Sequence, residues 1–525
     1  MKLATSRPRA TARRAMRRLS LVAALALLGA CATTPPSGLH ADAPLAAQDG
    51  AFLLRVVANA PSAGPYFKNW AGMSIVAVNP DGSDGHAYVV PASLDGASRS
   101  ALFVASLPPG RYRLKTLSSA AAATAAVQTS QWLDVGPRFP RFDVQAGQLT
   151  DLGAIVQTMR PGSTRQVELS YDAQVDHAIA SDLVRELSPR LAPLLGKPLL
   201  GWAADTTDAR ATTTAGTASA ISVGLVDPHV LPDGSLLAGS YDGMVKTGTR
   251  SRPARLADVG QRVAIEAVAV LPDSSWVVAG EYGMISQSAD EGRTWHSLRG
   301  DLAYGLVSSV HAVSGRLVAT VLRGNRVIVA STVPGAATPP HWVVHATYTP
   351  STGPFWEWKS GMATHSFVVG HQVITAMPST SIGVWDAETG QSVERKLPDM
   401  VERFATPGGD VLRFMSPSGM FSNNNYMSQD AGLTWEKLPT LPFVWGVAMK
   451  DKLHGVGWAT DIRIGTGNFL KTADGGHTWV RTRFQGVWVP KVFLDPERDV
   501  AYGADVNGDL WFSTDGGDDW SRAVF

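Results

Sequence analysis

Short apolar runs separated by turn-forming residues dominate the chain. In the first third they occupy 51–58 (AFLLRVVA), 73–78, 87–90, 101–105 and 111–117. Between them lie Asn79-Pro80-Asp81-Gly82, Ser83-Asp84-Gly85 and Pro108-Pro109-Gly110, each a turn signal. Several short strands at this spacing predict a small β-sandwich over 51–170. Asp81, Ser83 and Asp84 lack the register of a calcium loop and read as a hairpin turn. The alanine-rich stretch 120–126 is expected to be a loop or short helix. The period then changes. Val175, Ile179, Leu183, Val184, Leu187 and Leu191 fall at helical spacing, with Ser181-Asp182 and Arg185-Glu186 on the other face. An amphipathic helix is expected there, ended or kinked by Pro189, packing between two domains. With the polar stretch 206–217 (TTDARATTTAGT) it makes a connector and linker over 171–218.

From about residue 219 to 525 the chain repeats itself. Val230-Leu-Pro-Asp-Gly-Ser returns forty residues later as Val270-Leu-Pro-Asp-Ser-Ser. A second motif, [S/T]-x-D-x-G-x-[T/D]-W, occurs at Ser288–Trp295, Ser428–Trp435, Thr472–Trp479 and Ser513–Trp520. The tryptophans are spaced 140, 44 and 41 residues apart, and 140 is three repeats in which two units lack the motif. Periods of about 40–50 residues mark propellers and other repeat folds. In the motif, Asp and Gly suit a tight turn and Trp supplies apolar area between neighbouring sheets. Fourteen of the 16 Trp lie at or beyond residue 202, so tryptophan belongs to the repeat.

These four copies resemble the Asp-box, or BNR, repeat of sialidase-like, sortilin-like and photosystem II assembly-factor-like propellers. The resemblance implies an all-β protein with a seven-bladed β-propeller over 219–525. Its blades are expected near 220–258, 263–299, 304–345, 358–398, 402–440, 443–484 and 486–525, with a closing strand from 198–202. It also implies a structural role for the box residues: Asp290, Gly292 and Trp295; Asp430, Gly432 and Trp435; Asp474, Gly476 and Trp479; Asp515, Gly517 and Trp520. In the first module, the stretches 107–114 and 142–153 are similar to segments of transthyretin-like or carboxypeptidase-regulatory-like sandwiches, which imply no chemistry.

Composition and charge alter the picture at the N-terminus. The chain has 525 residues, 45% hydrophobic and 17% charged, which excludes global disorder. Gly and Pro together make 84 residues, consistent with many turns. The formal charge of +1 averages two unlike parts. Residues 1–30 hold seven basic and no acidic side chains; without them 39 Lys and Arg face 45 Asp and Glu, a net of −6. Nucleic acid is therefore not an expected partner. The apolar run 19–28 is too short to span a bilayer and reads as a secretory signal. Leu28-Gly29-Ala30-Cys31 resembles a bacterial lipobox. That implies a signal peptide over 1–30, acyl chains on Cys31 (the single cysteine) and a flexible tether over 31–50. Ala32, where inner-membrane retention has Asp, implies the outer membrane, facing periplasm or cell surface.

Candidate chemistry gathers on the loops at the mouth of the propeller channel. They contribute Tyr241, Asp242, Glu281, Tyr282, Arg323, Asn325, Asp461, Arg463, Asp505 and Asn507, with Trp356 and Trp358 on an insert beside them. Aromatic faces beside carboxylates and Arg suit a glycan or peptide. No zinc signature, nucleophile elbow or P-loop is present, so no catalytic residue, metal or cofactor is expected. The expected function is non-enzymatic binding of a protein or glycan partner, in envelope assembly. The alternative is a sialidase-type hydrolase, with Glu281-Tyr282 as its pair and Arg323 and Arg463 as carboxylate clamps. The Arg-Ile-Pro motif of that family is absent.

Overall fold

The computed structural model describes residues 37–39, 45–59, 70–93, 100–124, 127–136, 139–159, 167–172, 177–203, 226–231, 233–240, 242–249, 252–333, 339–350, 364–377, 379–401, 403–404, 411–417, 422–442, 444–461, 466–485, 491–495, 500–504 and 510–522. The described chain is nearly all β.

Among the described residues the first module has ten strands: β1 Ser37–Gly38, β2 Gly50–Asn59, β3 Trp70–Val78, β4 Asp84–Pro91, β5 Ala101–Leu107, β6 Gly110–Thr124, β7 Val127–Asp134, β8 Phe142–Val144, β9 Leu149–Met159 and β10 Val167–Asp172. One sheet runs β1-β4-β3-β6-β7 with β8 on β6; the other runs β10-β9-β2-β5. Phe52, Leu54 and Val56 of β2 enter a core shared with Met73, Ile75 and Leu114 of the facing sheet. Ala51 and Leu53 point the other way, into a second apolar cluster. The strand period of two thus serves two partners, and a run apolar on both faces is what such a strand requires. Tyr112 donates its hydroxyl to the carbonyl of Pro108 at 2.7 Å, pinning the 108–110 turn.

Three expectations are corrected here. Residues 120–124 of the alanine-rich stretch lie in β6, not in a loop or helix. Part of the tether is a strand: β1 pairs in parallel with β4, Gly38 opposite Val89. The segment 198–202 closes no blade. Leu200 bridges Thr150 and Trp202 bridges Phe142, and Trp202 Nε1 donates to the carbonyl of Leu152 at 2.9 Å.

The helix α1, His177–Leu187, is followed by a 3-10 segment from Pro189 to Gly196. Ile179, Leu183, Val184 and Leu191 are buried between the second face of the four-stranded sheet and the repeat region.

Among the described residues the repeat region holds seven consecutive four-stranded antiparallel sheets, at 226–258, 265–297, 306–348, 365–396, 403–442, 444–485 and 491–522. Every sheet is one uninterrupted stretch of chain. Each shares an apolar cluster with the next. The last packs on the first, with Phe493, Tyr502 and Phe512 against Leu236 and Ala238. That closes the ring of a β-propeller, and the sheets are numbered as blades 1–7 below.

The motif turns join the third and fourth strands of blades 2, 5, 6 and 7. In blade 2, Ser288 Oγ donates to Asp290 at 2.8 Å and accepts from Gly292 N at 2.7 Å, while Asp290 accepts from Thr294 N at 2.8 Å and Thr294 Oγ1 at 2.7 Å. Blades 5 and 6 repeat this pattern around Asp430 and Asp474. In blade 7, Asp519 replaces the threonine, so Asp515 accepts from Ser513 Oγ at 2.6 Å and from the backbone N–H groups of Asp518 and Asp519, with no threonine hydroxyl. The Trp of each motif lies in the cluster shared with the preceding blade; Trp520 stacks on Phe469 at 3.5 Å. The Gly of the motif is held close too. A Cβ on Gly517 would meet Val456 at 2.8 Å, and one on Gly432 would meet Ile382 at 2.6 Å.

These bonds hold the four carboxyls below the ordinary range. At Asp290 the N–H of Thr294 is the main cause, its hydroxyl the next, and the value falls to about 2. At Asp474 the hydroxyl of Thr478 leads. At Asp430 and Asp515 partial burial opposes the shift; the hydroxyls of Thr434 and Ser513 outweigh it, and Asp430 also falls to about 2. A carboxyl depressed on folding stabilises above its unfolded pKa and loses that as pH falls through the folded one. The denaturant midpoint should hold above about pH 5 and fall between about pH 4 and pH 2. Asp474→Asn should flatten that fall; an unchanged slope would refute the assignment.

The turn after the first strand also repeats. Leu231 N donates to Ser235 O at 2.7 Å and Leu271 N to Ser275 O at 2.9 Å. Gly234 sits at φ 80° in the first copy, but Ser274 occupies the same left-handed region at φ 67° in the second. Ala431, at φ 55°, likewise stands where blades 6 and 7 have Gly475 and Gly516. Left-handed backbone costs a non-glycine about 1–2 kcal/mol, part of which glycine gives back as unfolded-state entropy. Ser274→Gly and Ala431→Gly should each stabilise by roughly 0.5–1 kcal/mol in equilibrium unfolding.

Candidate functional site

In each blade the second-to-third turn and the connection to the next blade lie at the mouth, opposite the motif turns. The first module and α1 cover this mouth over blades 1–3. Glu281, in the second-to-third turn of blade 2, is 0% exposed. Its carboxylate accepts from Ser100 N at 2.6 Å, Ser100 Oγ at 2.5 Å and Ala264 N at 2.9 Å. Ser100 immediately precedes β5, so this carboxylate ties the two parts of the chain together. Tyr282 beside it is buried at φ 59° and stacks on Tyr304 at 6.0 Å.

Asp242 is also buried, 3% exposed, in the equivalent turn of blade 1. Burial raises its pKa, against the opposing hydrogen bond from Ser240 Oγ and the charge of Arg262. Arg262 grips Asp258 through two bonds of 2.7 Å. Its carbonyl accepts from Arg55 Nη1 of β2 at 2.8 Å. On the rim, Arg323 of blade 3 pairs with Glu186 of α1 at 2.8 Å, and Arg299 pairs with Asp182. Asn325 is exposed in the two-residue turn after Arg323.

The expected open mouth is therefore corrected over blades 1–3. Glu281, Tyr282 and Asp242 lie in buried turns, and Arg323 faces the helix. Tyr241, Trp356, Trp358, Arg463, Asp505 and Asn507 lie outside the described residues, as does Cys31; Asp461 ends a strand of blade 6, with its side chain outside the description.

Sequence reasoning passed over Arg55, Ser100, Asp182, Glu186, Arg262 and Arg299, the residues that bind module to propeller. Two signals were available. Arg55 interrupts an otherwise apolar strand, and a charge there needs a buried partner. Asp182 and Glu186 are four residues apart on one helix face, which the sequence pattern assigned only to the side away from the core. Both carboxylates reach propeller arginines instead.

Among the described residues, no group of three or more His, Cys, Asp and Glu is placed to hold a metal ion. No described helix is long and apolar enough to cross a membrane. The histidines have local partners: His341 contacts Asp301 at 2.5 Å, His371 contacts Asp386 at 2.9 Å, and His345 stacks on Trp385 at 4.1 Å.

No protein-family model matches the chain, and no curated protein matches it. Solved structures similar to it include YCF48 from Cyanidioschyzon merolae, at 15% identity and a TM-score of 0.41, covering 55% of this chain and 94% of that one. The WD40 β-propeller domain of Doa1 is similar at 14% identity and a TM-score of 0.36, covering 57% and 91%. U3-55K is similar at 11% identity and 0.39, covering 54% and 88%. On its own strand order and ring of apolar clusters, the chain is an all-β protein whose C-terminal part is a β-propeller.

Proposed function

We propose that the chain is a lipid-anchored envelope protein of the bacterial outer membrane whose propeller binds a protein or glycan partner without catalysis. The observation that carries the non-enzymatic reading is the burial of Glu281. A sialidase-type pair needs Glu beside a reactive Tyr at an open site, and this carboxylate is held by Ser100 and Ala264. Tyr282 is 6% exposed. The lipobox residues Leu28-Gly29-Ala30-Cys31 support the anchor. With blades 1–3 covered, the binding surface is assigned to the rest of the mouth, where the sequence pattern puts Asp461, Arg463, Asp505 and Asn507.

The test is affinity capture from envelope extract by the mature chain. Capture should be lost on combining Arg463→Glu with Asp505→Arg and kept by Asn325→Ala. The reverse pattern would move the surface. Turnover of a fluorogenic sialoside, abolished by Glu281→Ala, would restore the hydrolase. Separately, Cys31→Ser should abolish palmitate labelling; unchanged labelling would reject the lipobox.

A further inference from the structure

We infer that the chain stands on the membrane in a fixed order of layers, with the β1–β4 edge of the first module against the lipid headgroups and the motif turns of the propeller farthest away. The inference rests on the lipobox reading of Cys31 and goes beyond it to a docking surface and its occupant.

Ser37 and Gly38 are not free tether: they pair in register with Tyr88 and Val89. Leu39 N donates to the carbonyl of Val89 at 2.8 Å, and Ser37 Oγ lies 2.9 Å from His86 Nε2. Leu39 packs on the module core. Only residues 32–36 separate this strand from Cys31. Six links of extended chain reach at most about 20 Å. An acylated Cys31 therefore holds this edge near the bilayer, where a free tether from 31 to 50 would let the whole protein wander.

The sheet order supplies the direction. The six-stranded sheet carrying β1 and β4 has one face in the module core. Behind that core lies the four-stranded sheet, whose second face packs on α1 and blades 1 and 2. The propeller is thus on the side of the module away from the β1–β4 sheet. The motif turns end its far side, opposite the covered mouth. The outward face at this edge suits a headgroup layer. Val89, 38% exposed, is the one exposed large apolar residue of the first module among those described. On the same sheet Arg113 and Lys115 both pair with Asp84, two cations on one carboxylate, which leaves a net positive charge suited to anionic headgroups.

The test uses the full acylated chain in vesicles of phosphatidylethanolamine and phosphatidylglycerol in equal parts. A fluorophore is placed on one of two exposed sites, Val89→Cys or Leu433→Cys, the latter in the motif turn of blade 5. Acylation leaves either new thiol as the single free one. With an acceptor dye at the headgroups, energy transfer should be several-fold stronger from position 89 than from 433. A Gly/Ser insert of about twenty residues between Pro36 and Ser37, with a span near 25 Å, should weaken transfer from position 89. Equal transfer from both sites on an acylated, vesicle-bound chain would overturn the layer order and leave the anchor standing. A chain without acyl mass that fails to bind vesicles would overturn the anchor, and this inference with it.

Discussion

Glu281→Ala should destabilise the chain by about 3–5 kcal/mol and divide its unfolding into two transitions. The substitution removes the acceptor for three buried donors, Ser100 N, Ser100 Oγ and Ala264 N. Each orphaned donor costs about 1–3 kcal/mol, less what water recovers. The loss falls on the junction of module and propeller, so cooperativity across it should weaken as well. Because 13 of the 16 Trp lie beyond residue 202, tryptophan fluorescence reports mainly the propeller. Circular dichroism reports both parts. The two probes should coincide in the parent chain and separate in the variant. Glu281→Gln keeps one acceptor oxygen and should fall between. A midpoint within about 0.5 kcal/mol of the parent, as at an ordinary surface site, would show that Glu281 does not lock the junction.

Gly243→Ala should cost about as much, for a different reason. Gly243 lies at φ 81°, and a Cβ there would stand 1.6 Å from the carbonyl oxygen of Gln261. That oxygen is backbone in the connection to blade 2, where Val259 N already donates to Gly243 O at 3.1 Å. The left-handed conformation costs about 1–2 kcal/mol, and displacing packed backbone about 1–3 more. Gly234 in the same blade is the control. It has φ 80° and nothing within 4 Å of its added Cβ. Gly234→Ala should therefore show the conformational cost alone, about 1–2 kcal/mol. Equal losses at both positions in denaturant titrations would remove the steric argument.

The propeller was legible because its determinants are local. A motif of eight residues carries its own turn: Ser288, Asp290, Gly292 and Thr294 bond one another, and Trp295 only needs the blade before it. The helix was legible by the same logic, since its apolar stripe reports one face. Features set by distant partners were not. Glu281 reads as a mouth residue from its turn, and its true partner is 181 residues away. Residues 120–124 have composition without pattern, and pairing with β7 decides that they are strand. The segment 198–202 follows the helix in sequence but returns to β8 and β9. Ser37 and Gly38 carry no strand signal of their own; the open edge of β4 recruits them.

The unbroken blades bear on how such a ring can be cut and rejoined. Among the described residues, no blade borrows a strand from the far end of the chain, and side chains such as Phe493 and Leu236 pack across the seam between blades 7 and 1. Any connection between blades is then an equivalent place for the chain to start. A circular permutant joined between Arg522 and Val226, and opened between Lys396 and Arg403, would keep all seven sheets whole. The same property lets a ring of this kind gain or lose a blade as one gene segment, with no strand left unpaired on either side of the join.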